Sequence, residues 1–147
     1  MATYNSIEDF LDDVENAISE SLEEAGEKVK EKMSQTIYRL VYATYTPSMY
    51  QRTYQMLNSP QIINKTKDSV TINIKEVMYP SLFGGIDSID TVIEKFSTGQ
   101  IIAHGSSLKA NPPIINYRQA VPLSQEIDNN LKEFDEFFYK SMRAKGF

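Results

Sequence analysis

Cysteine is absent from the chain, which excludes disulfides, thiolate metal sites and cysteine nucleophiles and is consistent with cytosolic synthesis. Histidine occurs once, as His104, in an Ala-His-Gly-Ser-Ser stretch. Ser106 and Ser107 are only sequence neighbours of that ring, and a triad needs groups that converge in space, so His104 reads as a lone surface histidine. Glycine pairs once, at Gly84 and Gly85, without the Lys-Ser or Lys-Thr of a phosphate-cradling loop and without a dinucleotide fingerprint. No apolar run approaches the ~20 residues of a membrane span. The first 15 residues carry five acids and no base, so neither a secretory signal nor a transit peptide is expected. These absences leave no basis for an enzyme, and no cofactor or metal is expected. Asp87, Asp90 and Glu94 could share a helix face and hold a hard cation. They read better as acids complementing the positive start of a short helix.

What is present fits one soluble domain. A length of 147 residues allows a working core but not two ordinary domains, and 41% hydrophobic with 24% charged residues argues against wholesale disorder. The net charge of −5 is unevenly placed: residues 1–36 hold ten acids against Lys28, Lys30 and Lys32, a net of −7, while the remaining 111 residues sum to +2. An acidic first quarter repels phosphate backbones, so DNA beside this surface would slide past it without sticking.

Apolar residues at Ile7, Phe10, Leu11, Val14, Ala17, Ile18, Leu22, Ala25, Val29, Met33, Ile37, Leu40 and Val41 recur at steps of three and four. They predict one amphipathic helix, begun at Ser6 as N-cap with Asp9 in a capping-box-like position. From 7 to about 42 it would run ~54 Å at 1.5 Å per residue, longer than a small core can cover. Part of its stripe therefore needs another partner, and Gly26 marks where it could bend. The spacing is not a strict heptad, which argues against a simple two-helix coiled coil.

Pro47 ends the helix and opens a loop over 43–60. Gln61 to Asn64 and Ser69 to Val77 predict a hairpin, the second strand alternating Val70, Ile72 and Ile74 with polar residues. After breaks at Pro80, Gly84 and Gly85, Ser88 caps a short helix carrying Ile89, Val92, Ile93 and Phe96 and stopped near Gly99. Residues 100–118 read as a loop with room for a short strand at Ile101 or Ile114. A last helix, led by Pro122, carries Ile127, Leu131, Phe134, Phe138 and Met142 near 3.6 spacing. The expected fold is α+β over 1–147: a long acidic helix (1–42), a Tyr/Pro loop (43–60), a small antiparallel sheet with a short helix (61–120), and a C-terminal helix (121–147). The C-terminal helix should pack on the sheet or against the first helix.

Five of the nine tyrosines fall within residues 38–54. Tyr38 and Tyr42 continue the helical stripe and are assigned to packing. Tyr45, Pro47, Tyr50, Arg52 and Tyr54 lie at or beyond the proline break, where large aromatic and guanidinium groups suit a protein interface.

The order of elements, with a long helix running into Val41-Tyr42-Ala43-Thr44-Tyr45-Thr46-Pro47-Ser48-Met49-Tyr50-Gln51-Arg52-Thr53 and then Leu57, resembles the tail-completion or head-to-tail connector proteins of tailed bacteriophages. Where many relatives carry a proline followed by Thr-Gly, this chain has Tyr50-Gln51-Arg52-Thr53-Tyr54. The resemblance implies an α+β structural protein without catalysis, assembled in the host cytoplasm into a homo-oligomeric ring at the head-tail junction of the virion. It also implies connector or portal-side and tail proteins as neighbours. Tyr45, Pro47, Tyr50 and Arg52 would dock onto an adjacent subunit or the next ring, and the acidic helix face could look into the DNA channel or outward. The other reading the residues allow is a small intracellular protein-binding module using the same loop.

Overall fold

Ser6 starts the first helix as expected: its backbone is extended and its hydroxyl accepts the Asp9 N–H at 3.1 Å, with Glu8 and Asp9 in the first turn. In the computed structural model, which describes residues 3–43, 56–75, 79–80, 86–101 and 109–147, α1 runs from Ile7 to Ile37. At 1.5 Å per residue its 31 residues span ~46 Å. It passes through Gly26 as unbroken helix, so the expected bend is not where the helix changes. The change comes at Tyr38–Tyr42, a π-helical turn closed by Ala43 N–H to the Tyr38 carbonyl at 2.8 Å.

Gly26 serves close approach instead. A Cβ there would lie 3.3 Å from both Ile62 Cδ1 and Val70 Cγ2, atoms of the hairpin β1 (Pro60–Lys65) and β2 (Val70–Ile74) that packs on this side of α1. The strands pair antiparallel, with the register slipping between Ile62 and Asn64, and Ile63 at the bulge is exposed. Val70, Ile72 and Ile74 alternate with exposed neighbours as predicted, and Ile72 and Ile74 reach the core. A second ladder, β3 (Tyr79–Pro80) with β4 (Ile86–Asp87), has no counterpart in the sequence reading, because two residues per strand are too few to show alternation. Ser88 then caps α2 (Ile89–Thr98) through the Thr91 N–H, and Gly99 ends it in the left-handed conformation at φ 72°. Isolated bridges at Ile114 and Tyr117 and the Arg118 N–H to Ile101 carbonyl bond, 2.7 Å, tie down the segment after α2.

The C-terminal helix is corrected to two: α3 (Leu123–Lys132) and α4 (Phe134–Ala144), separated at Glu133, whose N–H turns back to the Asn130 carbonyl at 3.2 Å. The inward side also differs from the expected one. Leu131 is 40% exposed, whereas Leu123, Ile127, Asn130, Phe134, Phe137 and Ser141 face inward. Their steps alternate four and three, a coiled-coil-like seam in which two members are polar. Asn130 fills its place by donating to Thr36 Oγ1 at 2.7 Å, which satisfies a buried amide across the helix interface.

The principal packing of α3 and α4 is therefore on α1, along which they run antiparallel. Contacts descend in order: Arg39 with Glu126, Thr36 with Asn130, Lys32 with Glu133, Lys28 with Phe137, Glu24 with Ser141 and Lys145. The core sits where α1, α2, α3 and the loop base meet, built on Val29, Met33, Ile37, Phe96, Leu123 and Ile127. Each such side chain contributes about 1.5–3 kcal/mol by leaving water.

Gly26→Leu should lower stability by about 1–3 kcal/mol in urea denaturation, since the added atoms must push Ile62 and Val70 aside. A stability equal to wild type would mean the hairpin does not rest on this point.

Candidate interaction surface

Tyr45, Pro47, Tyr50, Arg52 and Tyr54, the contact residues expected from the sequence, lie outside the described residues, as do His104, Ser106 and Ser107. The two ends of their segment are described. Leu40 and Val41 on one side and Met56 on the other are buried in the core. Ser59 holds Met56 in place by donating both its N–H (3.2 Å) and its hydroxyl (2.6 Å) to the Met56 carbonyl. The Ser59 carbonyl then accepts the Lys75 N–H at 2.6 Å. On the first side, Arg118 lies 5.1 Å from the centre of the Phe96 ring and donates to the Val41 carbonyl at 2.8 Å. A widened π turn disturbs the regular carbonyl pairing, and the guanidinium supplies a charged donor there.

Tyr42 packs against the core as expected, but Tyr38 is 52% exposed, which corrects its assignment to packing. The buried row continues through Ile37 and Val41, and Tyr38 sits one residue on, about 100° round the helix. Beside it Arg39 reaches Glu126 at 3.4 Å.

A second surface lies at the other end of α1. No residue of its first ten is buried, and Ile7 (77%), Leu11 (51%) and Phe10 (41%) are open to solvent. Phe10 has aromatic company: Tyr4 edge-on at 5.1 Å between ring centres and Phe147 at 6.4 Å. The Tyr4 hydroxyl donates to the Asp13 carboxylate, and that bond raises its pKa above the usual phenol value. The length of the predicted stripe is the only sequence signal for this surface, because periodicity alone does not say which turns are covered.

The acids of α1 are engaged further along. Glu15 accepts from Lys67 at 2.6 Å and raises that ammonium's pKa, and Glu23 accepts from Lys65 at 2.5 Å, both from the hairpin. Glu24 takes the opposite side, accepting from the buried Ser141 hydroxyl and from Lys145 at 3.1 Å. Ser141 first, then Lys145, holds its carboxyl below the ordinary range. Asp87, one of three acids considered for a cation, is instead paired with Lys95 at 2.5 Å. Among the described residues there is no group of three His, Cys, Asp or Glu placed to hold a metal ion, and no helix long and apolar enough to cross a membrane. An open cleft of about 530 Å³ is lined by Ser97, Pro122, Gln125 and Asp128 among others. Ser97 there is already committed, donating to the Ile93 carbonyl and accepting the Ser124 N–H.

A protein-family model described as YomN matches residues 5–142. No curated protein and no solved structure matches the chain.

The contacts that hold these surfaces can be tested in two ways. Because the Glu24 pKa is depressed in the folded chain, its charge stabilises fully above the ordinary carboxylate pKa, and that share is lost as pH falls through the depressed value. The Tm gap between wild type and Glu24→Gln should thus be present at pH 7 and close below about pH 4. A gap unchanged with pH would remove the charge from the account. Arg118→Ala should cost about 1–3 kcal/mol by leaving the Val41 carbonyl without its charged donor. It should also speed amide exchange at Ala43, and unchanged exchange there would show that the π turn stands without Arg118.

Proposed function

The chain belongs to the YomN family, a Bacillus phage-derived family, and is phage-associated; on that premise we propose that it is a structural virion protein, a ring-forming adaptor of the tail-completion or neck type that joins the head connector to the tail. The observation that carries this reading is the open end of α1, where Ile7 and Leu11 are exposed and Phe10 is covered only in part, by Tyr4 and Phe147. Isolated exposed apolar groups are ordinary, but a row of them continuing a helix's buried stripe suits a surface that another subunit covers. A closed ring supplies such a partner to every copy.

The loop adds a second attachment. The described residues on either side of the segment, Val41 and Met56, are held in the core, and Tyr45, Pro47, Tyr50, Arg52 and Tyr54 between them are assigned the contact with the adjacent subunit or the next ring. The function is passive: the protein binds connector-side and tail proteins and catalyses nothing. The excess of acid on α1 presents DNA with a repelling surface, suited to a head-tail junction through which DNA passes.

Light-scattering mass and negative-stain images of the purified chain should show a ring. Tyr50→Ala and Arg52→Ala should each reduce incorporation into particles while circular dichroism stays that of wild type. Normal incorporation of both variants would overturn the role given to the loop. A stable one-to-one complex with another protein, without rings, would favour the protein-binding module instead.

A further inference from the structure

The rim of the uncovered α1 surface has one sign. Residues 7–20 hold six acids and no base. Asp13 accepts from Tyr4 and Glu15 from Lys67, whereas Glu8 and Asp12, four residues apart along one flank of the Ile7–Leu11 row, enter no salt bridge among the described residues. The surface is therefore apolar at its centre and negative at its edge. Its complement is apolar or aromatic with a positive edge.

The same chain carries that complement on the outer side of α4. Phe134, Phe137 and Ser141 turn inward, which leaves Tyr139, 59% exposed, outward with Lys140 and Arg143. Asp135 and Glu136 are exposed in the first turn of α4, and beyond them residues 137–147 contain three bases and no acid, so the positive part of this face is its C-terminal half. Lys145 is taken by Glu24, but Lys140 and Arg143 form no salt bridge among the described residues. The two surfaces cannot meet within one molecule. Ser141 bonds Glu24, thirteen residues or ~20 Å of helix from Leu11, and Tyr139 points away from α1.

We infer that the first turns of α1 of one copy lie on the outer face of α4 of the next, Ile7 and Leu11 against Tyr139, with Glu8 and Asp12 facing Lys140 and Arg143. The occupant is a second copy of this chain, and the match of charge and apolarity names it. Because the two surfaces are different patches, the contact is heterologous and runs head to tail, which closes a ring when the rotation between copies divides a full turn. A single helix-on-helix contact is small beside the ~800 Å² per partner of a standard stable pair. It gains its strength by repetition, each copy using both of its surfaces. The inference rests on the ring-forming reading and adds which faces meet.

The absence of cysteine makes disulfide trapping a clean test. Leu11→Cys and Tyr139→Cys are prepared separately in the full chain, mixed, and oxidised mildly, alongside each variant alone and the mass of the unmodified protein. Expected are dimers joined between the two different variants, little product from either alone, and a ladder of linked chains from the double variant. Lys140→Glu with Arg143→Glu in the Tyr139→Cys chain should cut the mixed product about tenfold, as like charges then face each other. Glu8→Lys with Asp12→Lys in the Leu11→Cys chain should restore it. An oligomeric wild type with no mixed product, or with Leu11→Cys joined chiefly to itself, overturns this interface and leaves the ring standing. A monomeric wild type with no mixed product overturns both.

Discussion

Burial of the row Ala17, Ser21, Ala25, Val29, Met33 and Ile37 is the constraint on which the other contacts depend, because every other described layer packs directly or indirectly on the helix that carries it. The row advances by four residues on a helix of 3.6 per turn, so the buried side moves about 40° round the axis at each step. A straight stripe could face only one neighbour. This turning one lets a single helix serve the hairpin on one flank and α3 and α4 on another. Residue size changes along the same course. Ala17, Ser21, Ala25 and Gly26 allow close approach, and Val29, Met33 and Ile37 fill the space where α2 and α3 join.

Charge aligns these layers more than it stabilises them. The pairs Lys65–Glu23, Lys67–Glu15, Lys145–Glu24, Lys32–Glu133 and Arg39–Glu126 are all at least partly exposed, and solvent screening leaves such pairs little net stabilisation. Their placement matters because they fix which turn of α1 each neighbour meets. They also consume acids along the middle of α1 from both flanks. The chain's negative excess is thereby concentrated at one end of the molecule, beside its exposed apolar groups.

Much of the fold is legible in the sequence because it obeys local rules. Ser6 and Ser88 cap helices, Gly99 ends one, and the alternation from Val70 to Ile74 marks a strand facing α1. The C-terminal helices escape such rules because their seam includes Asn130 and Ser141, polar residues whose partners Thr36 and Glu24 lie far away in sequence. Counting apolar residues alone moves the inward side onto Leu131. Tyr38 misleads for a related reason: an aromatic next to a stripe is not on it. The residues proposed as contacts are legible only as composition, a run of Tyr, Pro and Arg after a helix. The open end of α1 is legible only as arithmetic, a helix longer than its core.

The π turn at Tyr38–Tyr42 bears on how this architecture could change over generations. It holds one residue more than an α turn would, and it stands where the helix hands over to the Tyr/Arg segment. Loss of one residue there would restore ordinary helix with little change of direction beyond it, because the wide turn already absorbs its extra residue. The row up to Ile37 would stay as it is. Loss of a residue within that row would instead rotate one half of the core against the other. A lineage could thus shed one codon in this turn at the cost of repacking Leu40 and Val41 alone, whereas the same loss earlier in the helix would misalign the whole row.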